Sequence, residues 1–342
     1  MHSFNTDMSG FQTAWREAYL KIKGNGTQNG IEYPWILPKV HWEQGLWPEI
    51  RSGKPDSLPA YLECSSVQKH DGVHNLKSSW MLCANLYFPF RRDLPLIGGF
   101  LKQHVSSNIK TVDKIELEWA EKPPRAPATL LGEPHGQRGR NQTSPDVAFM
   151  FTLEKGGKGI VLTENKFVEH SFYPCSGRKK DYRNPDPGRC MNLTKLYKEP
   201  VNQCHMLQWA HGDRTNRKYW DYLKFTPEGL NKLKRCPATN AGYQLFRQQA
   251  LAEALAQKGP YELVVSCVAY DARNQTLIEC LRSTGVNDFT TGWGPLFEGK
   301  ARFATFTHQQ WVEWVRKHDR RGAWGDWLGY VGERYGYGTF TR

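Results

Sequence analysis

Two carboxylates and an ammonium stand out among the side chains able to do chemistry. Asp146 follows Pro145 and opens the apolar run Asp146-Val147-Ala148-Phe149-Met150-Phe151-Thr152, while Glu164 and Lys166 lie in a second run from Gly159 to Phe167. Alternate side chains of a strand share a face, so Glu164 and Lys166 project together with Ile160 and Leu162. A tight turn at Gly156-Gly157 would fold the two runs into a hairpin and bring Asp146 opposite the pair. Burying such charges is costly unless a metal or a mutual ion pair compensates. Two close carboxylates supply the hard oxygens that Mg²⁺ or Mn²⁺ takes, water and phosphate filling the remaining positions. Lys166 beside them would orient or deprotonate an attacking water and neutralise charge growing on a phosphate. The pattern therefore suits metal-dependent phosphodiester hydrolysis, with Asp146, Glu164 and Lys166 as the catalytic set. A salt-bridged hairpin end would show the same residues, and Glu298-Gly299-Lys300 repeats the acid-x-Lys spacing elsewhere.

The elements that must position these groups are readable in outline. Phe11, Trp15, Ala18 and Tyr19 at helical spacing predict a short helix over 11–22. Residues 24–60 are Gly-, Pro- and Trp-rich and read as an irregular extension. A mostly buried helix is expected over 75–88, stopped by Pro89, and another over 96–105. Lys114 to Trp119 alternates as a strand with one wet face. Tyr243 to Gln257 forms a helix closed by Gly259, and 261–270 a buried strand. The order of helix, strands, helix, strand predicts an α/β fold.

Composition limits the function classes. The chain has 342 residues, 46 Lys and Arg against 34 Asp and Glu, and a formal net charge of +12. Such an excess favours a polyanionic partner, and without a Lys-rich amphipathic membrane helix the partner is expected to be nucleic acid. No apolar stretch is long enough to cross a membrane, and no secretory signal is visible, so a cytoplasmic location is expected. The 13 Trp, 15 Tyr and 16 Phe argue against a wholly disordered chain.

Pro145-Asp146 followed by Glu164-Asn165-Lys166, a helix and a fourth strand resembles the PD-(D/E)xK nuclease superfamily. Within it, the helix around Ser78-Ser79-Trp80, the strand Glu164-Asn165-Lys166-Phe167 and the helix Tyr243-Gln244-Leu245-Phe246-Arg247 look most like a bacterial and phage group of restriction-endonuclease-like proteins. The resemblance covers roughly 75–280. It implies a restriction-endonuclease-like α/β core, a mixed sheet flanked by helices, a Cys-rich insertion and DNA as substrate. It further implies that Asp146, Glu164 and the Asn165 carbonyl bind Mg²⁺ or Mn²⁺, with Lys166 positioning the water. Many members carry another Glu on the first core helix, and 75–88 has no acid; Glu63, Glu116, Glu118 or Glu133 could take its place. Gln244, Arg247 and Gln248 share one helix face, where RecB-like nucleases put a Gln near the active site, so Gln244 and Gln248 are secondary candidates.

Eight cysteines divide into two kinds. Cys64, Cys83, Cys267 and Cys280 sit beside apolar stretches, as ordinary core cysteines do. Cys175, Cys190, Cys204 and Cys236 lie in polar, Gly-, Pro- and Lys-rich sequence within 170–238, and none forms a Cys-x-x-Cys pair. Cys236 precedes Pro237, a frequent neighbour at iron–sulfur ligands. RecB-like nucleases with four such cysteines are similar, which implies a [4Fe–4S] cluster; Zn²⁺, with His205 or His170 replacing a thiol, and unliganded thiols are the alternatives. The segment is expected to owe its order to the metal, having little core of its own.

Basic runs at His135 to Arg140 and Arg178 to Arg183 flank the candidate site and suit phosphate contact. Trp311, Trp314, Trp324 and Trp327 read as core rather than as a base-stacking platform. The expected organisation is an N-terminal extension over 1–74, a nuclease core over 75–285 with the Cys-rich insertion 170–238, and an aromatic helical extension over 286–342. The function expected is a metal-dependent deoxyribonuclease of restriction, defence or repair type. The alternative is a non-catalytic, metal-stapled nucleic-acid-binding protein whose carboxylates merely pair with Lys166.

Overall fold

A computed structural model describes residues 3–180, 184, 186–207 and 216–338. Its centre is one sheet in the order β3-β4-β5-β6-β7, from β3 (Ile109–Leu117), β4 (Val147–Leu153), β5 (Lys158–Lys166), β6 (Leu263–Tyr270) and β7 (Arg302–Thr307). Strand β4 pairs antiparallel with both β3 and β5, and β5, β6 and β7 run parallel. Strands β5 and β6 are buried almost throughout. Burial on both faces is why their sequences read as continuous apolar runs rather than alternating ones. A small separate hairpin, β1 (Gly26–Gln28) and β2 (Ile31–Tyr33), turns at Asn29-Gly30, both at positive φ as this turn demands.

Residues of opposite parity in the sheet feed two cores. On one face Val147, Phe149, Val161, Val265 and Cys267 pack with helices α2 (Ser79–Tyr87), α3 (Leu94–His104), α5 (His308–His318) and α6 (Gly325–Tyr335) and with N-terminal residues such as Trp47, Ile50 and Leu62. On the other face Ala148, Ile160, Leu162, Val264 and Val268 pack against α4 (Tyr243–Lys258) and the short helices of 170–238. Helix α2 starts at the N-cap Ser78, whose side chain accepts from the Met81 N–H. It is buried from Trp80 to Tyr87, which explains its lack of an amphipathic pattern.

The structure differs from the sequence expectations at definite places. Helix α1 (Phe4–Tyr19) starts a full turn and more before residue 11, because Ser3 caps the Thr6 N–H. It buries Met8, Gln12 and Trp15, leaving Phe11 and Tyr19 exposed. Strand β3 stops at Leu117 because Glu118 takes a positive φ of 46°. Strand β7 was not expected within 286–342; its residues are mostly half-buried at the sheet edge and carry no clear period. The tryptophans fall as expected: Trp311, Trp324 and Trp327 are buried, and Trp314 is partly so. The segment 170–238 does have apolar packing of its own, burying Phe172, Leu196, Trp220 and Phe225 beside α4, so its order does not rest on a metal alone.

Candidate active site at the end of the central strands

The hairpin β4–β5 pairs Val147 with Thr163, which sets Asp146 beside the end of β5. The Asp146 carboxylate accepts the Asn165 backbone N–H at 2.7 Å. Glu164 and Lys166 occupy the sheet face that packs on α4. There the Lys166 ammonium donates to Glu164 Oε1 at 2.8 Å and to Gln244 Oε1, in the first turn of α4, at 2.7 Å. Asn165 lies on the opposite face, its side-chain amide donating to the Ser79 carbonyl at 2.7 Å and so tying β5 to the start of α2. Asp146, Glu164, Lys166 and Gln244 thus come together in one cavity of about 580 Å³. Gln248, a turn further along α4, is buried away from it, donating to Ser266 Oγ at 3.2 Å and the Cys267 carbonyl at 2.9 Å.

Of the four additional acids considered, Glu118 is the one that lines this cavity. The kink that ends β3 delivers it there, with its N–H still paired to the Asp146 carbonyl at 2.9 Å. Glu63 is exposed. Glu116 is ion-paired with Lys114 and, at 3.3 Å, with Arg138. Glu133 is buried and held by Arg247 at 3.0 Å, Thr143 and Tyr219.

Electrostatics mark the site as strained. Burial, then the charge of Glu164, pushes the Asp146 carboxyl well above the ordinary range, and burial, then Asp146 and Glu164, does the same to Glu118. Burial works to lower the Lys166 ammonium, but Glu164, Glu169 and Asp146 outweigh it and hold it above the usual lysine range. Acidic groups crowded so that they resist ionising are what a bound cation would relieve.

One contributor lies far away in the chain. His308, fully buried at the start of α5, contacts the Lys166 carbonyl through Nε2 at 3.0 Å and the Tyr87 hydroxyl through Nδ1 at 3.1 Å. It fixes the strand end from which Lys166 projects. No local motif announces it.

The four cysteines of 170–238 are all buried, and their side chains line one narrow enclosed space with Leu196, Trp220 and Phe246. Gly177 N–H approaches Cys175 Sγ at 3.4 Å, and backbone N–H groups of His205, Met206 and Ala238 likewise face Cys190, Cys204 and Cys236. Burial raises all four thiols, Cys175 to about 12. Among the described residues, no group of three or more His, Cys, Asp or Glu side chains is placed so that it could hold a metal ion as it stands.

Of the first basic run, Arg138 is used internally, donating to the Leu117 and Glu118 carbonyls and to the Tyr61 hydroxyl, whereas Arg140 is exposed. In the second run Arg178, Lys179 and Lys180 are exposed, and 181–183 lie outside the described residues. Among the described residues no helix is long and apolar enough to cross a membrane.

No curated protein and no solved structure matches the chain. A family model described as Restriction Endonuclease associating with ARP does match, over residues 9–336. With nearly its whole length so matched, the chain belongs to that restriction-endonuclease family.

Proposed function

We propose that this protein is a divalent-metal-dependent deoxyribonuclease whose active centre is Asp146, Glu164 and Lys166. The observation that carries the reading is the meeting of these three side chains with Glu118 in one cavity of a chain from a restriction-endonuclease family. The donor set fits Mg²⁺ or Mn²⁺, which needs only one or two protein carboxylates and takes its other ligands from water and phosphate. Asp146 and Glu164 would hold it, with Glu118 nearby. In an extended strand the N–H and C=O of one residue point to the same neighbour, so the Asn165 carbonyl faces the Asp146 side as a further ligand. A bound ion would supply Lewis-acid activation of the phosphate and of a water.

The chain's own residues do the rest. Lys166 is an ammonium near neutral pH, so its role is to donate, not to remove a proton. Two of its protons are committed to Glu164 and Gln244; the third is free for the attacking water or a phosphate oxygen. Water adds to phosphorus and gives up a proton to the surrounding solvent, the bond to one sugar oxygen breaks, and that oxygen takes a proton from solvent water as it leaves as a hydroxyl. Gln244 keeps the ammonium from folding fully onto Glu164.

For the cysteines we propose a metal staple, [4Fe–4S] or Zn²⁺, beside the active centre. Its support is the convergence of four buried thiols on one small space, each with a backbone N–H facing its sulfur. The thiols must close up around the ion.

Incubation of the purified protein with plasmid DNA tests the main reading. Cleavage should require Mg²⁺ or Mn²⁺, stop in EDTA and be absent from Glu164→Gln. DNA binding without cleavage under every metal would favour the non-catalytic alternative.

A further inference from the structure

The catalytic groups line a partly open cavity in which Glu118, Glu164 and Lys166 are 7%, 7% and 3% exposed and Asp146 is half-buried. The first eighty residues contribute Asn5, Tyr33, Trp35 and Lys77 to the wall of this cavity, and Tyr173 lines it as well. Tyr33 and Trp35 are partly exposed, with ring centroids 4.9 Å apart. Lys77 lies over the Trp35 ring at 4.3 Å and donates to Asn5 Oδ1 and Ser9 Oγ, both at 2.6 Å. Among the described residues it has no carboxylate partner within ion-pair distance, and the third proton of its ammonium is uncommitted. Tyr173 is 50% exposed although its backbone sits at a φ of 56°. An aromatic residue held there is uncommon, and such strain collects at ligand-binding sites.

We propose that this wall is a subsite for one unpaired nucleotide, its base stacking on Trp35 and Tyr33 and its phosphate meeting Lys77, so that the preferred substrate is DNA with an unpaired or extrahelical nucleotide rather than uninterrupted duplex. The inference deepens the nuclease reading and rests on it. A volume of about 580 Å³ belongs to pockets that enclose a small ligand, roughly 300–1,000 Å³. That volume accommodates a single nucleotide. A base enters such a subsite most easily where its pairing is already broken, since unstacking and unpairing cost least there. Aromatic faces and a lysine provide sequence-tolerant stacking and phosphate contact.

The test uses three oligonucleotides of the same sequence: a paired hairpin, the same hairpin with one bulged nucleotide, and a single strand. Each carries a fluorescent base analogue at the bulge position. Binding is measured in EDTA and cleavage in Mg²⁺, for the wild type, Trp35→Ala and Trp35→Phe. Wild type should bind and cut the bulged and single-stranded forms in preference to the hairpin. Trp35→Ala should lose roughly 5- to 150-fold in affinity for those forms while binding the hairpin as before, and Trp35→Phe should retain the preference. Equal binding and cutting of all three forms, or a Trp35→Ala protein with unchanged preference, would overturn the subsite while leaving the nuclease reading intact. If nothing is cut by the wild type, the nuclease reading fails instead, and the binding arm in EDTA still decides the subsite.

Discussion

Replacing Lys166 by methionine keeps the aliphatic stem and removes the ammonium, leaving Glu164 and Gln244 without their shared donor. The sequence alone suggests a sheet-end lysine that could be deleted without harm to the fold. In the structure Lys166 is 3% exposed, and its departure leaves Glu118, Asp146, Glu164 and Glu169 in one cavity whose remaining ammonium, that of Lys77, is engaged with Asn5 and Ser9. Removing one partner of a buried ion pair costs ~3–5 kcal/mol; because the carboxylates border a cavity that water can enter, the lower end applies, about 3 kcal/mol in EDTA above neutral pH. The cost should shrink in mild acid, where the Asp146 and Glu118 carboxyls, already pushed up by burial, take up protons, and should also shrink in Lys166→Met/Glu164→Gln. The rate should fall by ~10²–10³ in both variants, the usual loss for one electrostatic catalytic group. Chemical denaturation at two pH values and single-turnover cleavage read the two effects separately. A single variant as stable as wild type above neutral pH refutes the buried pair, and one that cuts at the wild-type rate refutes the catalytic assignment.

Asp146→Asn removes a charge that its surroundings already resist, so in EDTA it should be more stable than wild type to heat, should lose the stabilisation that Mg²⁺ confers, and should still bind DNA; weaker folding in EDTA would point to a structural carboxylate. His308 is pushed down to about 4 by burial, below its ordinary value of about 6.5. A lowered pKa means the unfolded chain binds the proton more readily, so the contribution is intact above about pH 6.5 and is lost as pH falls toward 4, amounting to about 3 kcal/mol at most. His308→Asn should flatten that part of the stability profile and slow cleavage by loosening the Lys166 backbone; an unchanged profile removes His308 from the account. Cys236→Ser should lose bound iron or zinc and expose 170–238 to protease, whereas Cys267→Ser, buried in β6, should keep the metal; anaerobically prepared protein with neither metal and eight free thiols would end the staple proposal.

What the sequence makes legible is whatever local periodicity controls. Strands β4 and β5, their glycine turn and α4 fall within a residue or two of expectation, and with them the shared face of Glu164 and Lys166. The choice of Glu118 over Glu63, Glu116 and Glu133 was not legible, because it depends on one positive φ at a strand end. Nor was His308, whose contact spans 142 positions of sequence. Residues 24–60 look irregular since, apart from the short hairpin at 26–33, they pack against other elements, and only the fold brings Tyr33 and Trp35 to the cavity that holds the carboxylates. Gln244 and Gln248 share a helix face, yet the tilt of α4 on the sheet sends one to Lys166 and the other to β6.

The proposed active centre requires that the carboxylate pair govern metal-supported cleavage. Single-turnover cleavage of a bulged oligonucleotide, followed as Mg²⁺ is titrated into wild type and into Glu164→Gln, measures this directly. A saturable Mg²⁺ dependence in the wild type, lost or shifted to far higher concentration in the variant while affinity for DNA in EDTA is kept, is the predicted result. Superimposable titrations for the two proteins would contradict it.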